Sequence, residues 1–112
     1  MLDEADFRRR SDQALESLKQ ALIVAEDAFG GFEFEDNNGV MNVLFEDGSS
    51  KFVVTPNTPV RQIWISALST SFKLDWSDSA VAFVLAKTGE SLMPLTQRLL
   101  REQLNDSTIT LV

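Results

Sequence analysis

The stretch VMNVLFEDGSSKFVVTPNTPVRQIWIS, residues 40 to 66, decides how this chain folds. Met41, Val43 and Phe45 alternate with Asn42, Leu44 and Glu46, and Phe52 and Val54 alternate with Val53 and Thr55. A period of two sends successive side chains to opposite faces of a strand. Asp47-Gly48 turns the first run back into the second, while Pro56 with Pro59 closes the second and opens the connection to the third. That third run sets Ile63 and Ile65 on one face and Gln62, Trp64 and Ser66 on the other, so a large aromatic shares the polar side.

The same reading extends outward in both directions. Upstream, Phe32 and Phe34 alternate with Glu33 and Glu35, and DNNG at 36 to 39 supplies a hairpin turn. Before that, Phe7, Ala14, Leu15, Leu18, Ala21, Leu22, Ala25 and Phe29 recur at steps of three and four, predicting an amphipathic helix from about Asp3 to Asp27 that Gly30-Gly31 stops. Downstream, SFKLDW and AVAFVLAK read as two further strands. Thr88-Gly89-Glu90 breaks the pattern, Ser91 is placed to cap a second helix, and Leu92, Leu95, Leu99, Leu100 and Leu104 give that helix an apolar side. The tail DSTITLV is compatible with a strand, a groove-filling extension or a frayed end.

Hairpin-length connections make antiparallel neighbours, and two helices with one apolar stripe each cover a single sheet face. The expected fold is therefore α+β, a two-layer sandwich with two terminal helices on one face of a five- to six-stranded antiparallel sheet, in one domain over 1–112. On this reading Phe34, Met41, Val43, Phe45, Phe52, Val54, Ile63, Ile65, Phe72 and Leu74 face the helices.

Composition removes many functions. The chain has neither cysteine nor histidine, which rules out thiolate nucleophiles, imidazole bases, disulfides and Cys/His metal sites. Any metal must then be held by oxygen, which suits hard or intermediate cations in exchangeable sites. A net charge of −7 argues against nucleic acid as a partner. The longest apolar runs, ALIVA at 21 to 25 and AVAFVLA at 80 to 86, fall far short of the roughly 20 residues of a membrane span. The acidic start MLDEADF resembles no secretory or transit sequence, so a cytoplasmic location is expected.

Two groups of residues carry possible chemistry. Residues 1 to 47 hold twelve acids against four bases, whereas the remainder holds five acids and six bases, so the acidity belongs to the N-terminal half. Asp3, Glu4 and Asp6 open the first helix, Asp12 and Glu16 lie one turn apart on it, and Glu33 and Glu35 project from the first strand. A plain structural reading of these acids also stands: they complement the helix dipole and form surface pairs, Glu4 with Arg8, Asp6 with Arg10 and Glu16 with Lys19. The second group is Trp64 with Gln62, Thr55, Asn42 and Lys73 on the uncovered sheet face; it is read either as a contact surface or as an indole packed flat under Lys73.

The chain resembles the frataxin family, including its bacterial CyaY-type members. LDEADFRRRSDQALESL resembles the family's acidic first helix, GVMNVLFEDGSSKFVV its second and third strands, and TPVRQIWISA its most recognisable motif, Q-[IV]-W-[LIV]-[SA]; FKLDW and TGESLMPLTQRLL match the strand and final helix that follow. The resemblance implies a non-enzymatic partner of iron–sulfur cluster biogenesis that binds the cysteine desulfurase and its scaffold protein, and weakly binds ferrous or ferric iron through acidic side chains. Carried over by position, Asp3, Glu4, Asp6, Asp12, Glu16 and Glu33 fall on the family's acidic ridge, Gln62 and Trp64 on its exposed contact positions, and Lys73 where a basic contact is often found. Gln20, Ile23 and Val24 stand where the ridge usually continues with acids, and Thr55 where eukaryotic members commonly have asparagine. A monomer is expected in the absence of iron. Two other readings are an iron store or ferroxidase built from several protomers and a metal-independent protein-binding module.

Overall fold

The first helix begins where a capping side chain allows it. The computed structural model describes residues 2–112, and in it Asp3 accepts the Asp6 backbone N–H on its carboxylate at 2.8 Å, satisfying one of the free donors of a helix start. Helix α1 (Glu4–Phe29) then presents Phe7, Leu15, Leu18, Ala21, Leu22 and Ala25 to the interior. Gly30 ends it with a φ of 70° and donates its N–H to the Glu26 carbonyl at 3.1 Å. Glu26 also accepts the Phe34 N–H on its carboxylate at 2.5 Å, which ties the helix to the strand that follows. At Gly31 a Cβ would stand 3.2 Å from Leu104, so the close approach of the second helix's end favours glycine there.

Six strands follow: β1 (Phe32–Asn37), β2 (Val40–Phe45), β3 (Lys51–Asn57), β4 (Gln62–Ala67), β5 (Thr70–Ser77) and β6 (Ala82–Leu85). They pair antiparallel in sequence order, β1-β2-β3-β4-β5-β6. Helix α2 (Leu92–Leu104) closes the chain's regular structure. The architecture is the expected α+β sandwich, with both helices on one face. Pro56 departs from its expected place, because β3 continues through it to Asn57. The β2 partner of β3 ends at Val54, so Pro56 sits on a locally free edge where a missing N–H breaks no ladder bond on that side. Pro59 lies in a 3₁₀ turn, Thr58–Val60.

The core contains Phe7, Leu18 and Leu22 of α1, Val43, Phe52, Ile63, Ile65 and Leu74 of the sheet, and Leu95, Leu99 and Leu100 of α2. Phe34 and Phe72 are only half-buried at its margin; Phe34 lies on edge strand β1, with a neighbour on one side only. Phe83 completes the far end, edge-on to Phe7 at 5.7 Å and to Trp76 at 5.2 Å between ring centroids. The tail turns out to be a packed extension. Ile109 and Leu111, two residues apart, are 1% and 6% exposed. Arg101 donates to the Ile109 carbonyl at 2.6 Å, and the Leu111 N–H donates to Gln97 at 2.9 Å, so the tail lies along α2.

Ser91 occupies the N-cap position of α2 but makes no side-chain capping bond. The start of this helix is secured instead by Glu90, which accepts from Arg98 at 2.8 and 2.9 Å, with a further hydrogen bond from the Thr88 hydroxyl at 2.9 Å. The Arg98 hydrogen bond is the main cause holding the Glu90 carboxyl below its ordinary 4.5. A depressed carboxyl pKa stabilises the fold above the unfolded value, and that contribution is lost as pH falls through the folded one. The pair is partly open to solvent, so Glu90→Gln is expected to cost only about 0.5 to 1 kcal/mol at pH 7. Thermal melts of the two proteins should differ by a few degrees at pH 7 and converge only once the pH has fallen below the depressed folded-state value of Glu90. A gap unchanged by acid would mean that the carboxylate's charge is not what secures the helix.

Candidate functional site

Strand alternation leaves one sheet face without a cover, and its centre is Trp64. The register sets Thr55, Trp64 and Lys73 directly opposite one another on β3, β4 and β5, so these three form one row across the sheet. The next row holds Asn57, Gln62 and Asp75. The side chains link the two rows: the Trp64 indole N–H donates to the Gln62 side-chain oxygen at 2.8 Å, and the Gln62 amide nitrogen donates to Asp75 at 2.9 Å. Lys73 places its Nζ 4.8 Å from the Trp64 ring centroid, a cation–π distance. The indole is therefore half-buried, its edge fixed by Gln62 and part of its face roofed by Lys73. Both sequence readings of Trp64 contain part of this arrangement, since the ring lies under Lys73 and yet stands on the open face.

Asn42 is not part of that cluster. It sits two strands away, opposite Glu35 and Val53, with its amide turned toward the Val40 carbonyl. Asp75 belongs to the cluster and was not singled out from the sequence. Its signal was the register, which sets it opposite Gln62 once the β4–β5 hairpin is drawn.

The six candidate iron-binding carboxylates, Asp3, Glu4, Asp6, Asp12, Glu16 and Glu33, are dispersed. Asp3 caps α1; Glu4 pairs with Arg8 at 3.4 Å, and Asp6 with Arg9 at 2.9 Å. The expected Asp6–Arg10 pair does not form, because Arg10 turns to the Trp76 ring, 4.5 Å from its centroid. Nor does Glu16 pair with Lys19. Glu16 accepts from Gln20 at 3.0 Å, while Lys19 reaches across to Asp36 on β1 at 3.3 Å. Asp12 is exposed. Glu33 shares the open sheet face with Glu35, because Phe32 and Phe34 take the side that faces the helices; the β1 acid on the helix side is Asp36.

Asp12, Glu16 and Asp36 do line one shallow depression of about 230 Å³, with Lys19, Met41 and Pro56. Among the described residues no group of three or more acidic side chains is close enough to hold a metal ion. What the acids provide is a field: twelve carboxylates in residues 1 to 47 against four bases, concentrated on α1, β1 and the turns beside them. No helix of the described residues is long and apolar enough to cross a membrane.

The iron–sulfur cluster assembly protein CyaY of Azotobacter vinelandii is 30% identical over 105 residues, which cover 94% of this chain and 92% of that protein. The protein of the same name from Pseudomonas fluorescens is 28% identical over 102 residues, 91% of this chain and 89% of its own length. Among solved structures, the frataxin of Psychromonas ingrahamii superposes with a TM-score of 0.77 over 98% of this chain and 96% of that one, at 15% sequence identity, a likeness of fold. The frataxin-like domain model matches residues 1–106, the whole sandwich from the cap of α1 to the end of α2, and the chain belongs to that family.

Proposed function

We propose that this protein is a non-enzymatic accessory factor of iron–sulfur cluster assembly, which docks on the cysteine desulfurase and its scaffold protein through the open sheet face around Trp64. The observation that carries this reading is a tryptophan held in a fixed orientation on a face the protein's own helices leave uncovered. A braced indole loses little conformational freedom when a partner covers it, which is what makes tryptophan an effective anchor. The CyaY proteins of Azotobacter vinelandii and Pseudomonas fluorescens, named for cluster assembly, support the pathway.

Iron enters this proposal as exchangeable cargo or modulator. Asp3, Glu4, Asp6, Asp12 and Glu16 on α1, with Glu33 on β1, attract cations through their summed field, and Asp12, Glu16 and Asp36 around the shallow depression are the closest approach to a local site. Because Glu4 and Asp6 already hold arginines, binding is expected to be weak and strongly dependent on ionic strength. The observed dispersion also favours, as a second reading, a protein-binding module with no metal role. An iron store or ferroxidase ranks lower, since no di-iron carboxylate arrangement with histidine is available to a chain without histidine.

Amide-resolved NMR titration distinguishes these readings. Adding desulfurase and scaffold without iron should broaden Gln62, Trp64, Lys73 and Asp75 first; adding ferrous iron alone should broaden Asp12, Glu16 and Asp36, and the effect should fade at high salt. Iron-independent docking with no iron response along α1 would establish the metal-independent reading. No response of the sheet face to either partner would overturn the docking proposal.

A further inference from the structure

Three consecutive arginines, Arg8 to Arg10, meet two different fates. Arg8 and Arg9 stay on the acidic side of α1, each against a carboxylate one turn away. Arg10 lies on another side of the helix, its guanidinium over Trp76. Among the described residues no carboxylate pairs with it, and its Nε is buried without a hydrogen-bond partner. That Nε is closed off from the surface, so what the guanidinium leaves open are its terminal Nη groups.

Beside Arg10 opens a groove of about 340 Å³ between α1, the β5–β6 end of the sheet and the start of α2. Its walls are apolar, with Ala14, Leu18, Phe83, Leu92 and Met93, and Val81 stands at its lip 68% exposed. The polar lining side chains other than Arg10 are the neutral Gln13, Ser17, Ser91 and Trp76, whose indole N–H donates to Asp78 at 2.8 Å outside the lining, and the first turn of α2 carries no acid. In a protein of net charge −7, this is a local cation against an apolar wall.

We propose that this groove binds a small organic monocarboxylate with an apolar tail. The Trp76 ring steadies the guanidinium, so that its two terminal Nη groups are presented edge-on to a carboxylate, the geometry arginine matches with two parallel hydrogen bonds. The tail lies over Leu92 and Met93 and covers Val81. A single cation among apolar walls suits a monoanion better than a phosphate dianion, and the volume sits at the low end of the roughly 300 to 1,000 Å³ of small-molecule pockets, which favours a short ligand over a long lipid chain. The site lies outside the Trp64 face, and the inference does not rest on the docking proposal.

Octanoate is the probe, followed by NMR in the intact protein. The two indole N–H signals, of Trp76 and Trp64, give a reporter and an internal reference in one spectrum. Octanoate should move Trp76, Ala14, Leu92 and Met93 saturably with a Kd of about 0.1 to 1 mM, modest as befits about ten heavy atoms, and leave Trp64 in place. Octanol should bind at least about tenfold more weakly, and Arg10→Gln should weaken octanoate by about tenfold, since each loses the charge-assisted pair. Met93→Trp, which fills the groove without touching Arg10, should abolish the shifts and guards against loss of fold in the arginine variant. Equal affinity for octanol, undiminished binding by Arg10→Gln, or no saturation by about 10 mM, far above the affinity expected of such a pair, would each overturn the proposal.

Discussion

Ile109→Ala is expected to lower the free energy of unfolding by about 2 to 3 kcal/mol and the melting temperature by roughly 8 to 15 °C. The residue lies beyond every helix and strand, yet it is 1% exposed and belongs to the same core as Leu99 and Leu100. Removing its side chain leaves a cavity under a segment that is held otherwise by Leu111, by the Arg101 bond to the Ile109 carbonyl and by the Gln97 bond to the Leu111 N–H. A chain terminus relaxes more readily than a strand, so the lower half of the usual range for such truncations applies. Leu111→Ala added to Ile109→Ala should cost less than the sum of the two alone, because the first change already loosens the strip that holds the second. Urea unfolding measures the loss, and hydrogen exchange at the Leu111 amide reports whether the tail detaches before the domain opens. An unchanged midpoint for Ile109→Ala would mean that the tail rides on the domain without supporting it.

The tail also shows where sequence reasoning stops. Alternation and turn residues made the six strands and two helices legible, because period and punctuation are local properties: Met41, Val43, Phe45, Ile63 and Ile65 are buried, as their spacing requires. The alternation of Thr108, Ile109, Thr110 and Leu111 in the tail fits a strand equally well, and only the shape of the neighbouring α2 surface selects packing against Gln97 and Arg101. The charge pairs failed for a related reason. Spacing offered Asp6 to Arg10 and Glu16 to Lys19, but each long side chain has several reachable partners, and Trp76 and Asp36, distant in sequence, won. The open-face position of Glu33 could have been read: if Phe32 and Phe34 face the core, an odd-numbered neighbour between them cannot lie beside α1. Asp75 was likewise available once the β4–β5 register was drawn, because it follows from pairing Trp64 with Lys73.

Trp64→Ala is expected to weaken binding to the desulfurase–scaffold complex by about 1 to 3 kcal/mol, or roughly 5- to 150-fold, while leaving the domain folded. Its neighbours explain why stability and binding should separate. The side chain points away from the helices, and its contacts with Thr55 and Lys73 are cross-strand pairs worth about 0.2 to 1 kcal/mol each. The core residues on either side, Ile63 and Ile65, keep their places beneath the sheet. The kinetic signature should differ between the two faces of the molecule. Loss of an apolar anchor shortens the lifetime of a complex, so Trp64→Ala should act on the dissociation rate. Neutralising Asp12 and Glu16 instead removes long-range attraction and should slow association, with an effect that shrinks as salt is raised. Gln62→Ala falls between them: it releases the indole N–H and the Asp75 contact without removing the ring, and should cost less than Trp64→Ala. Surface-resonance kinetics on the wild type and these variants, with thermal melts in parallel, read all of this at once. Affinity unchanged by Trp64→Ala would sink the docking proposal, and a fall in melting temperature as large as that of Ile109→Ala would assign Trp64 to the fold instead of the interface.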